Sequence, residues 1–140
     1  MMRDTLEIRV LDRIARKRRD VFLRDDFTDL GGYDQVGRVL RSLVREGRLV
    51  KIGYGLYTRA KASPFDGTPA PVKGIQSLMT EALKRLGIKP VATQFERDYA
   101  AGRTTQVPTG RTIGVTRRVR RKIGYNGAIV RFERARPSLD

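Results

Sequence analysis

The sequence predicts an α+β fold in two parts: an N-terminal helical segment ending in a two-stranded ribbon, then a small helix-plus-antiparallel-sheet unit. Three observations carry this expectation. Apolar residues recur at helical spacing over 4–17, 34–45 and 75–86. Gly53-Tyr54-Gly55 separates two β-prone runs, as a hairpin turn does. Asn126-Gly127 lies within a C-terminal series of β-prone segments, and this dipeptide accepts the positive φ angles of a tight hairpin.

In the first helix, over 4–17, Leu6, Val10, Leu11 and Ile14 share a face. Val21, Phe22 and Leu23 suit a short strand. Arg24 to Leu30 suits a second short helix, stopped by Gly31-Gly32. Asp34 to Arg45 has the clearest pattern, with Val36, Val39, Leu40, Leu43 and Val44 on one side. Gly47 stands where a helix end takes a left-handed residue. Leu49, Val50 and Ile52, then Leu56 and Tyr57, form the two arms of the ribbon. Helix, short strand, helix, helix and ribbon is the order of a winged helix-turn-helix, assigned to residues 1–62.

Lys61 to Lys73 carries Pro64, Pro69 and Pro71 among Ser, Gly and Thr, so 63–73 is predicted as a linker. A second domain, 74–135, starts with an amphipathic helix from Ile75 to Leu86 whose apolar face holds Leu78, Met79, Ala82, Leu83 and Leu86. A short helix from Thr93 to Ala101 follows, ended by Gly102. Strands are predicted at Thr112–Thr116, Val119–Tyr125 and Ala128–Glu133, with a fraying tail at 136–140.

Among 140 residues, thirty Lys and Arg face fifteen Asp and Glu, a balance of +15. Such a field draws in polyanions, of which nucleic acid is the commonest. Residues 1–62 hold fifteen basic and nine acidic side chains, and residues 63–140 hold fifteen and six, so both parts are basic. There is no Cys and no His, which excludes disulfides, Cys- or His-ligated zinc and histidine general bases. No P-loop glycine pattern occurs. Asp25 and Asp26 are adjacent and point apart; Glu81, Glu96 and Asp98 are expected as scattered, solvent-exposed acids. No catalytic residue, metal or cofactor is expected. The N-terminal MMRDTLEIRV has no signal-peptide apolar run, and no basic helix carries a bulky apolar face. A cytoplasmic protein without a membrane partner is therefore expected.

The candidate site residues follow from the helix at 34–45. An α-helix fits the major groove of B-DNA and offers outward side chains to base edges. Tyr33 and Asp34 stand at its start, and Gln35, Arg38, Arg41, Ser42 and Arg45 lie mostly on its outward side. Arginine can donate two parallel bonds to guanine, and glutamine can bond adenine in the same way. By itself this face is equally that of a solvated basic helix; the glycine-flanked hairpin after it favours binding. Lys51 and Tyr54 near the hairpin tip are placed to reach phosphate or the minor groove, while Tyr57 is expected to pack beneath it. Arg18 and Arg19, in the basic stretch after the first helix, either touch the DNA backbone or serve the helix dipole. A second basic surface consists of Arg117, Arg118, Arg120, Arg121 and Lys122. Placed on a strand, it would bind phosphate, RNA or an acidic protein, or guard a sheet edge by charge. One helix covers too few base pairs to pick out a site, so two copies are expected on an inverted repeat.

Val21-Phe22, Asp26-Phe27, Asp29-Leu30-Gly31, Val36, Leu40, Leu43-Val44, Gly47 and above all Gly55-Leu56-Tyr57 resemble the winged helix-turn-helix of AbiEi-type antitoxins from bacterial abortive-infection and type IV toxin–antitoxin systems. Thr105-Gln106-Val107-Pro108, followed by hairpin strands, is similar to the second unit of short members, and the second unit here is much shorter than in long ones. The resemblance implies a repressor that binds inverted repeats in its own promoter. It also implies that the second unit counteracts a nucleotidyltransferase-like toxin without a stable complex. Two other classes stay open: a general RNA or nucleoid-binding module, and an inhibitor acting by protein contact alone.

Overall fold

The computed structural model describes residues 5–107, 111–125 and 128–135. The chain is mixed α+β and divides into two compact units, residues 1–72 and 73–140. Among the described residues, no helix is long and apolar enough to cross a membrane.

In the first unit, α1 (Leu6–Arg16) starts at Thr5, whose hydroxyl accepts the Ile8 N–H at 3.2 Å. It buries Val10 and Ile14. β1 (Val21–Leu23) follows as expected. The helix expected over Arg24–Leu30 is only a 3-10 turn, Arg24–Phe27. The Asp26 carboxylate accepts the Leu23 N–H at 2.9 Å, and Thr28 N–H bonds back to Asp25 at i→i+3. These short polar side chains compete with a helical ladder, and the chain re-enters a helix only after Gly32. α2 (Tyr33–Arg45) buries Val36, Leu40 and Leu43. It stops in a Schellman motif: Gly47, at φ +76°, donates to Val44, and Arg48 donates to Leu43.

β2 (Leu49–Gly53) and β3 (Leu56–Ala62) form the hairpin, with a bulge between Lys51 and Gly53. Tyr54 and Gly55 make its tip, and Gly55 takes φ +66°. β3 also pairs with β1, so β1-β3-β2 is one antiparallel sheet. Val10, Ile14, Phe22, Phe27, Val36, Leu40, Leu43, Leu49 and Tyr57 make one core cluster. The Phe22 and Phe27 ring centroids are 6.1 Å apart. Tyr57 is buried, as expected, and its burial pushes the phenol pKa up.

The structure departs from the sequence expectation at 63–73. That stretch is part of the first unit, because β4 (Pro69–Pro71) pairs with β3 through Ala60↔Pro71 and Ala62↔Pro69. Proline lacks an N–H but can still occupy an edge strand, so its presence does not make a tether. The unit ends at Val72, not at residue 62.

In the second unit, α3 (Ile75–Arg85) buries Leu78, Met79, Ala82 and Leu83. β5 (Pro90–Val91) leads to α4 (Gln94–Ala100), where Thr93 and Glu96 form a reciprocal capping box. Glu81, Glu96 and Asp98 are not the free exposed acids expected. Each is half-buried and engaged: Glu81 with Lys73, Glu96 with the Thr93 N–H, and Asp98 with Arg103 at 2.9 Å and Gln94. β6 (Thr112–Val115) pairs antiparallel with β5 and parallel with β9 (Arg131–Arg134). The expected all-antiparallel sheet is therefore a mixed one. β7 (Gly124–Tyr125) and β8 (Ala128–Ile129) form a separate small hairpin, which takes up the chain between β6 and β9 and lets β9 return parallel to β6. The strand expected over Val119–Tyr125 shrinks to β7, and the one over Ala128–Glu133 breaks at Val130, whose N–H bonds to Ile123. Pro108, Asn126-Gly127 and 136–140 lie outside the described residues.

Candidate nucleic-acid interface

Burial of Val36, Leu40 and Leu43 fixes the rotation of α2. With 3.6 residues per turn, Gln35, Arg38, Arg41 and Arg45 must then face outward, and all four are exposed. Ser42 lies at the border and is half-buried. Asp34 is the acid of the first turn, its side chain 89 % exposed. The helix thus presents a polar, mostly cationic stripe of the residue types that sequence reasoning selected.

The start of α2 meets the hairpin tip. The hydroxyls of Tyr33 and Tyr54 lie 3.4 Å apart, although both side chains are largely exposed. That hydrogen bond holds the Tyr33 phenol above its ordinary pKa, against the opposing charge of Arg24. Lys51 is exposed on β2, three residues before the tip. Helix face, hairpin tip and hairpin strand are therefore contiguous in the first unit.

Arg24, which sequence reasoning passed over, organises this junction. Its guanidinium lies 3.4 Å from the Tyr33 ring centroid, donates to the Tyr33 carbonyl from both Nε and Nη2, and stands 4.0 Å from Asp34. Its backbone N–H donates to Gly55 O at the hairpin tip, at 3.1 Å. The side chain crosses α2 at Gly37, where a Cβ would come within 2.2 Å of Nη2. One signal was present in the sequence: a glycine inside a helix costs up to about 1 kcal/mol against alanine and commonly marks a close approach.

In the basic stretch after α1, Arg19 is drawn into the fold. Arg19 is half-buried, 3.7 Å from Asp26, while Arg18 stays exposed. Arg13 grips Asp29 through two bonds, at 2.5 and 2.7 Å, and holds that carboxyl down at a pKa of about 2. Arg16 pairs with Asp12 at 3.2 Å. In the groove of about 340 Å³ along this side, lined by Arg9, Asp12, Arg13, Arg16, Lys17 and Leu30, Arg13 and Arg16 are therefore matched by acids. Arg59 is a further residue missed from sequence. It reaches from β3 to the carbonyls of Ile14, Lys17 and Arg19 and so closes the C-terminal end of α1.

In the second unit, Arg117, Arg118, Arg120, Arg121 and Lys122 are all exposed, but they lie outside any ladder. The expected alternation of strand faces therefore does not sort them. Arg117 donates to Gly87 O at 3.4 Å. Among the described residues no group of three or more acidic, His or Cys side chains could hold a metal ion. Comparison with known protein families, curated proteins and solved structures finds no match to this chain.

Proposed function

We propose that the first unit is a winged helix-turn-helix that binds duplex DNA, with α2 in the major groove and the β2–β3 hairpin as the wing. One observation carries this reading. The exposed stripe Gln35, Arg38, Arg41 and Arg45 is continuous with a hairpin tip that is fastened to the helix start through Tyr33 and Tyr54. Side chains able to read base edges and a second element able to follow the adjacent backbone are thus held together, as groove recognition needs. Arg18 and Lys51 supply exposed positive charge for phosphates.

Within this reading the protein is a cytoplasmic autoregulator. Two copies bind an inverted repeat in its own promoter, and the second unit serves an antitoxin role against a nucleotidyltransferase-like toxin. The family part rests on the sequence resemblance, the duplex part on the geometry. Selection of duplexes from a random pool, followed by footprinting on the upstream DNA, tests both. A selected inverted repeat that recurs upstream of the gene is the expected result. Recovery of no preferred duplex sinks the reading and leaves a general nucleic-acid module, which the exposed cations at 117–122 favour next.

A further inference from the structure

The Arg24 side chain is only 15 % exposed, so it is poorly placed to touch a ligand. Yet its contacts form a closed circuit of three elements. The backbone of Arg24 holds the hairpin at Gly55, its guanidinium holds Tyr33 at the start of α2, and Tyr33 returns to the hairpin at Tyr54. Only an open Gly37, one turn along α2 from Tyr33, lets the guanidinium lie there. Neither tyrosine is held by burial, since Tyr33 is 53 % and Tyr54 72 % exposed.

We propose that Arg24 is a positioning residue that locks the wing tip to the start of the recognition helix, so that duplex selectivity depends on a side chain that itself reads no base. This rests on the duplex reading above. It follows that Gly37 is kept for the passage of Arg24, and that replacing it by the better helix former should improve local propensity while weakening selectivity.

Two substitutions attack the same contact from opposite sides. Arg24→Ala removes the guanidinium. Gly37→Ala leaves it in the chain but places a methyl in its path. The displaced group is the far end of a flexible side chain, so the fold survives and the melting temperature stays within about 5 °C. The readout is NMR on the full chain with labelled tyrosine rings. Signals of Tyr33 and Tyr54 move in both variants, while those of Tyr99 and Tyr125 in the second unit stay in place.

On a duplex selected by the wild-type protein, measured against a scrambled duplex, each variant loses about tenfold in preference, and the double variant loses no more than the worse single one. Arg24→Lys behaves like Arg24→Ala, because an ammonium cannot both stack flat and donate as a fork. An unmoved Tyr54 in Gly37→Ala would overturn the proposal. So would losses that multiply in the double variant, or preference unchanged while both tyrosine signals move. If the wild-type protein selects no duplex, the functional reading falls, and the tyrosine signals alone decide whether Arg24 is the lock.

Discussion

Arg38 stands one turn from Asp34 and one turn from Arg41 and Ser42, on the exposed stripe of α2. If it makes a forked bond to guanine, Arg38→Ala costs about 1–3 kcal/mol on the selected duplex and much less on a scrambled one. Titrations on both duplexes decide this; equal losses would make Arg38 a phosphate contact. The Arg13–Asp29 pair gives a second prediction at this scale. The folded Asp29 pKa, about 2, lies below the usual 3.8 because Arg13 bonds the ionised form. Its stabilisation is therefore complete above the unfolded value and is lost as pH falls through about 2. In a carboxyl-detected NMR titration Asp29 should titrate near 2, and in Arg13→Ala it should return towards 3.8. An unchanged value in the variant would remove Arg13 as the cause.

At the scale of elements, α1 depends on a side chain from a distant strand. The end of a helix leaves carbonyls without partners. The Arg59 guanidinium donates to two of them, on Ile14 and Lys17, and to the Arg19 carbonyl just beyond the helix; it lies 5.2 Å over the Phe22 ring and 3.4 Å from Asp20. Bonds from a charged donor are among the stronger ones, so Arg59→Ala should destabilise the first unit by about 2–4 kcal/mol in a denaturant melt. A loss below about 0.5 kcal/mol, the size typical of a surface substitution, would mean that water replaces the guanidinium at no cost. How far the elements could be read from sequence depended on their length. The longer helices were legible because apolar period, capping residues and terminal glycines all lie within a few turns of one another. The 3-10 turn was not, because helix and tight turn share that residue pattern over so short a run.

At the scale of the whole molecule, the boundary at Val72 changes where the chain can be cut. Residues 1–72 should melt cooperatively. A chain ending at Lys61 lacks β4, including the buried Pro71, and should be less stable by about 2 kcal/mol. Equal stability would return the stretch to the role of a tether. The second unit is the more basic one, and each phosphate it neutralises adds about 0.9 to the slope of log affinity against log salt. The full chain should therefore lose affinity with salt more steeply than residues 1–72. Replacing Arg117, Arg118, Arg120, Arg121 and Lys122 together by Gln should reproduce the shallower slope without altering sequence preference. Identical slopes would assign those five cations to a partner other than the duplex.

The sequence by itself determined the α+β class, the extent of α2, the hairpin after it and the residue types on its outward face. Each depends on spacing within a short window, where backbone geometry alone decides which side chains share a side. Tertiary structure decided the rest. It made an edge strand of Pro69–Pro71, set β9 parallel to β6, and left the basic run at 117–122 outside a ladder. It also turned two arginines inward, Arg24 across Gly37 and Arg59 onto carbonyls up to 45 residues away. Strand pairing and the reach of a long cationic side chain are set by which partner the folded chain brings close, and no local period encodes that choice.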